Sequence, residues 1–322
     1  MIIAVLVCGW VGWELYKLYN AWGTIREHEW NTNFLLLALA GVCYAIAYIP
    51  AVIYWRYVMQ TLGQQPGLYE CFRAHYIGHL GKYVPGKAMV LIIRTGLLNH
   101  KKTKITAAGA SVFVETMTMM AVGAFVATLT MIIAVLIQAP WFQDFEFIDW
   151  VTPDRLVYLA LGVMVCTVLP ILPPVFHFVT GKLKKFQIEL EGMRFRTLAI
   201  GWVLYLPVWT MLGFSLWLTM LGLGMESKSF VMELLFCTLA VSVSIVFGFA
   251  SMLPGGLGTR EFALRNLLIL FFAVHPVGDL APPVMAIVVA IFFRIMSILA
   301  ELVASAVFAR GVCEPPTASA VG

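Results

Sequence analysis

Gly81-Lys82-Tyr83-Val84-Pro85-Gly86-Lys87 gathers two lysines, two glycines and a proline inside an otherwise apolar chain. The stretch fits G-x-x-x-x-G-K, the spacing of a phosphate-cradling loop. Such a loop needs Ser or Thr next to hold magnesium, and Ala88 stands there instead. A nucleotide site is therefore not expected, and no cofactor is. The underlying physics still applies, because a glycine-rich turn that opens a helix presents free backbone N–H groups and a positive dipole end, which suit phosphate. Lys87 adds a full charge at that mouth. A second stretch of the same character is Leu253-Pro254-Gly255-Gly256-Leu257-Gly258-Thr259-Arg260-Glu261. Here Gly258-Thr259-Arg260-Glu261 reads as a helix start, with Thr259 as N-cap and Glu261 in the first turn. Arg260 and Arg265 are placed to bind an anion or to pair with Glu261. The competing reading of both stretches is structural: Pro and Gly permit tight turns, and the lysines snorkel to an interface.

Charges inside apolar spans form a second group. Ionisable groups at membrane depth are expensive and are functional candidates by default. Glu115 lies about three turns into one apolar run, Arg294 near the centre of another, and Glu301 two turns beyond Arg294. The two acids reach similar depth, so they either face a shared cavity or one of them is neutralised by Arg294. Arg94 and Lys82 belong to the same group of candidates. His75 and His79 share one helix face, but no Glu follows His75 as in H-E-x-x-H and no third ligand is evident. They read as interfacial histidines, and no metal site is expected. The six cysteines (positions 8, 43, 71, 166, 237 and 313) contain no C-x-x-C pair and read as small apolar fillers.

The elements that must position these groups follow from composition. Of 322 residues, 61% are hydrophobic and 12% charged, with mean hydropathy +0.90. Soluble domains carry about 25% charged residues, so the chain reads as an all-α polytopic membrane protein. With about 20 apolar residues needed to cross, spans are expected over 1–19, 34–59, 105–137, 156–179, 197–221 and 283–309. The first is read as a retained span rather than a signal peptide. Residues 67–98 are too charged for a lipid-facing span and read as two short helices meeting at Pro85-Gly86. Residues 230–274 read either as one re-entrant hairpin or as two full crossings. A single integral membrane domain covers 1–312, and 313–322 form a disordered tail.

Positive charge sets orientation. Arg56 to Lys104 holds eight Lys and Arg, Lys182 to Arg196 holds five, and Gln138 to Asp154 holds none. The first two segments are expected inside and the third outside. Three spans plus one broken re-entrant element then repeat with opposite orientation, as an inverted repeat of about 1–137 against 154–310. Paired interruptions at corresponding places in two halves point to a binding site between them.

Taken together, GKYVPGK and PGGLGTRE resemble the lysylphosphatidylglycerol synthase transmembrane (flippase-like) family, over residues 30–310. The resemblance implies a polytopic domain that in some members moves aminoacylated phospholipid between leaflets, here without the soluble lipid-synthesising domain. Other relatives are linked to isoprenoid-lipid or hopanoid pathways. The positions that match the family pattern are Gly81, Lys82, Pro85, Gly86, Lys87, Pro254, Gly255, Gly256, Gly258, Arg260 and Glu261. The expectation is a flippase of the cell membrane that moves an anionic or phosphate-bearing lipid, phospholipid or polyprenyl-linked. Its partners are membrane lipids and a proton or other coupling ion, with no nucleic acid. In that reading Lys87 and Arg260 steady the headgroup between two helix N-termini, while Glu115, Arg294 and Glu301 line the path or couple a proton. The alternative is a membrane-embedded glycosyl or lipid-headgroup transferase using a polyprenyl-phosphate donor, with Asp144, Glu146, Asp149 and Asp154 serving it.

Overall fold

The structure is a computed structural model. It describes residues 30–84, 88–98, 103–143, 193–251 and 253–309, and single positions within 16–26 and 158–165. The expected spans at 1–19 and 156–179, the four acids between 144 and 154, and the 313–322 tail lie outside the described residues. So do Pro85, Gly86 and Lys87.

Every regular element described is helical. Helices α1 (Phe34–Ala47) and α2 (Ile49–Thr61) form one bent span. Next come α3 (Leu68–His79), a 3₁₀ turn (Leu80–Tyr83), α4 (Ala88–Gly96), α5 (Ile105–Leu136) and the short α6 (Pro140–Gln143). Helices α7 (Phe195–Gly222) and α8 (Phe230–Ala250) precede a second 3₁₀ turn (Pro254–Gly256), α9 (Thr259–Val274) and α10 (Pro282–Ala309). Among the described residues five helices are long and apolar enough to cross a membrane: α1–α2 together, α5, α7, α8 and α10.

The bend between α1 and α2 has a local cause. Pro50 has no N–H to continue the ladder and its ring crowds the preceding turn. Tyr48 sits at the junction, and its N–H reaches Ala45 O at 3.4 Å, a tightened 3₁₀-type bond. The span begins where Asn33 caps it: Oδ1 accepts from the N–H groups of Leu35 and Leu36 at 3.1 and 3.2 Å. The Asn33 N–H donates to Gly222 O at 2.9 Å, which ties the start of α1 to the end of α7. Helix α7 packs along α1 and α8 and also touches α2 and α5, so it is the inner post of the bundle. Tyr205, Trp209, Leu212 and Leu216 on α7 are fully buried, whereas Leu35, Val203, Val231 and Val303 project outward. Apolar residues on the outer surface and charges within reverse the soluble pattern, as lipid requires.

Between these spans lie the two broken elements. Helix α3 has 12 residues and α4 has 9, which at 1.5 Å per residue reach about 18 and 14 Å, short of a hydrocarbon core of about 30 Å. The turn between them packs closely: a Cβ on Gly81 would lie 2.9 Å from Val90 N. The second element is asymmetric. Helix α8 alone has the length of a span, while the 16 residues of α9 reach about 24 Å. Its turn depends on glycine. Gly255, Gly256 and Gly258 have φ of +59°, +66° and +79°, in the left-handed region open to glycine. Gly256 also abuts α8, where a Cβ would lie 3.0 Å from Gly248 Cα. The two 3₁₀ turns touch each other.

The start of α9 departs from expectation. Gly258 is the N-cap, and Thr259 is the first helical residue. A residue with a Cβ would resist the φ of +79° at the cap, so the capping passes to Glu261, whose Oε2 accepts the Gly258 N–H at 2.7 Å. The Thr259 hydroxyl instead donates back into the turn, to Gly256 O at 3.1 Å.

Candidate functional site

Two carboxylates on two spans each collect a cation, a histidine and at least one tyrosine. On α5, Glu115 accepts from Arg94 Nη1 of α4 at 2.7 Å and from the Tyr205 hydroxyl of α7 at 2.6 Å. The Arg94 and Glu115 side chains are 4% and 3% exposed. His75 Nε2 of α3 lies 3.7 Å from the same carboxylate. On α10, Glu301 accepts from Lys82 Nζ at 2.5 Å and from the hydroxyls of Tyr83 and Tyr44 at 2.8 and 3.1 Å. His79 Nε2 is 3.6 Å away. A charge withdrawn from water is tolerated when it is paired and its remaining lone pairs are met, and both carboxylates satisfy that condition. The cations also lie over rings: Arg94 above Trp55 at 5.4 Å and Lys82 above Tyr83 at 5.1 Å.

A cavity of about 560 Å³ opens beside these pairs, within the size range of ligand pockets. Lys82, Arg94, His75 and His79 of the first broken element reach its wall, as does Glu115 of α5. Pro254, Gly255, Gly256 and Arg260 of the second reach it too, so both broken elements line one space. Arg260, the second residue of α9, is 6% exposed, and its Nη2 has no hydrogen-bond partner among the described residues. The rest of the wall is apolar, including Leu91, Phe113, Met117 and Phe249. Lys82 and Arg94 are each met by a carboxylate, so Arg260, in the first turn of a helix, gives the space its positive bias.

The sequence candidates divide accordingly. Lys82, Arg94, Glu115, Pro254, Gly255, Gly256 and Arg260 meet at the cavity. Glu301 stands behind the wall, holding Lys82. Arg294 is not the neutraliser of Glu115 or Glu301: its Nε lies 3.3 Å from Glu261 Oε1, and its Nη2 donates to Gly255 O at 3.2 Å. It therefore braces the second turn, and Glu261 pairs with it rather than with Arg260 or Arg265. Gly258 and Glu261 shape that turn without lining the cavity. Arg265 is away from the cavity, with Nη1 donating to Asn266 Oδ1 at 3.2 Å. His75 and His79 are not interfacial. His75 is 1% exposed and both rings line the cavity, because α3 is packed inside the bundle against α2, α4 and α10. Tyr44, Tyr83 and Tyr205 were not among the expected site residues. Their aromatic side chains look like ordinary core or interface residues until the carboxylates they serve are located.

Apolar helices arranged around an internal cavity with paired charges define a multi-pass membrane protein. The chain belongs to the lysylphosphatidylglycerol synthase transmembrane-region family, which matches it over residues 1–305. None of the curated proteins compared with it matches.

Proposed function

We propose that the protein is a flippase of the cell membrane that carries an anionic or phosphate-bearing lipid between leaflets. The observation that supports this most is the single cavity in which Lys82, Arg94 and Arg260 converge from both broken elements. Phosphate oxygens accept strongly from such donors, and Arg260 has a nitrogen without a partner among the described residues. Phe113 lines the same cavity and is 52% exposed, so the wall runs out to the lipid-facing surface. A headgroup could enter there while its acyl chains remain in the bilayer. In this reading the α3–α4 and α8–α9 elements are the broken halves of an inverted repeat that approach the site from opposite leaflets. The short lengths of α3, α4 and α9 and the contact between the two turns support it.

The test uses purified protein in liposomes with a panel of dye-labelled lipids and a membrane-impermeant quencher. Anionic lipids are expected to become quenchable from the inner leaflet faster than in protein-free vesicles, and uncharged lipids less so. Recovery of a covalently altered lipid instead would favour the transferase reading.

A further inference from the structure

Anion binding employs the cations of the cavity and leaves two buried imidazoles unassigned. His75 and His79 lie one turn apart on α3, with ring centroids 5.9 Å apart and planes 17° from parallel. Each faces a carboxylate from a different span, His75 that of Glu115 on α5 and His79 that of Glu301 on α10, at 3.7 and 3.6 Å. Four titratable groups thus form a row, Glu115–His75–His79–Glu301, across one helix. Neither ring nitrogen of His75 has a hydrogen-bond partner among the described residues. A buried polar atom in that condition calls for a partner, and the cavity against which the ring stands is where one would come from.

The charges around the row balance. Arg94 from α4 neutralises Glu115 and Lys82 neutralises Glu301. Tyr205 from α7, Tyr44 from α1 and Tyr83 from the first 3₁₀ turn donate to the same carboxylates. Tyr48, at the α1–α2 junction, packs its ring 4.8 Å from that of His79, and Arg260 from α9 shares the cavity wall. With both imidazoles neutral, each station carries no net charge. A phosphate headgroup in the cavity would compete with the two carboxylates for Lys82 and Arg94. A carboxylate that loses its cation away from water is disfavoured in its charged form. A proton taken up by the adjacent imidazole, 3.7 or 3.6 Å away, replaces the lost cation and restores the balance.

We propose that Glu115, His75, His79 and Glu301 form a proton relay that takes up a proton when an anionic headgroup displaces the carboxylates from Arg94 and Lys82, which couples lipid movement to proton movement. An imidazole accepts on one nitrogen and releases from the other, so the two rings can pass the proton between the stations. The proton returns to water when the headgroup leaves and the ion pairs re-form. This rests on the lipid-carrier reading.

The experiment adds short-chain phosphatidylglycerol to the weakly buffered, detergent-solubilised protein, with a pH indicator and calorimetric binding read together. At neutral pH the uptake is expected to be about one proton per lipid bound. By reciprocity, affinity should tighten by up to about tenfold for each unit the pH is lowered through the titration. In a folded His75→Gln/His79→Gln protein the uptake should be lost and the affinity should no longer vary with pH. Lipid binding by the unaltered protein without proton uptake overturns the relay and leaves the lipid-carrier reading standing. Undiminished uptake in the folded double variant also overturns the relay. Failure of the unaltered protein to bind the lipid at all overturns both.

Discussion

Glu115→Ala is expected to lower stability by about 3–5 kcal/mol, because it strands the Arg94 guanidinium in a place that water barely reaches. Arg94 and Glu115 are 4% and 3% exposed and bond at 2.7 Å. Removing the carboxylate also orphans the Tyr205 hydroxyl that donates to it at 2.6 Å. The paired replacement Arg94→Met with Glu115→Leu removes both charges together and is expected to recover most of the loss, since a buried pair exchanged for apolar side chains of similar volume is often neutral. Lipid movement should be lost in the paired variant, because Arg94 faces the cavity. Denaturant or thermal unfolding in detergent measures the first effect, and the liposome assay measures the second. A loss below about 1 kcal/mol for Glu115→Ala would mean that the pair behaves as a solvated surface ion pair.

Arg260→Ala is expected to act in the opposite way, on transport far more than on folding. Arg260 Nη2 has no hydrogen-bond partner among the described residues, so the fold does not consume all of the guanidinium's donors. The side chain projects from the first turn of α9 into the cavity. A hydrogen bond to a charged group contributes about 1.5–3 kcal/mol, so losing one to a phosphate weakens apparent affinity by about 10- to 100-fold. Arg260→Lys keeps the charge but not the fork, and should fall between Arg260→Ala and the unaltered protein. Initial rates over a range of anionic-lipid content, at matched protein levels, provide the measurement. Equal rates for Arg260→Ala and the unaltered protein would place the headgroup elsewhere.

The spans were legible because lipid demands long apolar runs. Phe34 and Ile105 begin helices where hydropathy placed them, and Pro282–Ala309 matches the last expected span to within a residue. The costly charges were legible for the same reason, which is how Glu115, Arg294 and Glu301 stood out. Their partners were not legible. Arg94 and Glu115 are separated by 21 residues, and Lys82 and Glu301 by 219, so these pairings arise from packing that no local pattern encodes. Of the two alternatives for Arg294, neutralising Glu115 or Glu301 does not hold for the same reason: the acid it meets, Glu261, belongs to α9. The burial of His75 and His79 is hidden in the sequence because α3 is short and polar, which resembles an interfacial helix. Their place on the same face as each other, within a few residues of Lys82, was the available signal that they belonged with the buried charges. Thr259 fitted the usual capping preference, but the turn needed a left-handed backbone at the cap, and Gly258 took that place.

Photolabelling distinguishes a lipid headgroup held in the cavity shared by the two broken elements from one held elsewhere. An anionic phospholipid with a photoreactive group on its headgroup would be reconstituted with the protein, irradiated, and the labelled peptides mapped. Label is expected on segments 75–94, 112–120 and 248–260, and an excess of unlabelled anionic lipid should compete it away. Label confined to outward-facing positions such as Val203, Val231 and Val303, unaffected by competitor, would mean that the headgroup does not occupy the cavity.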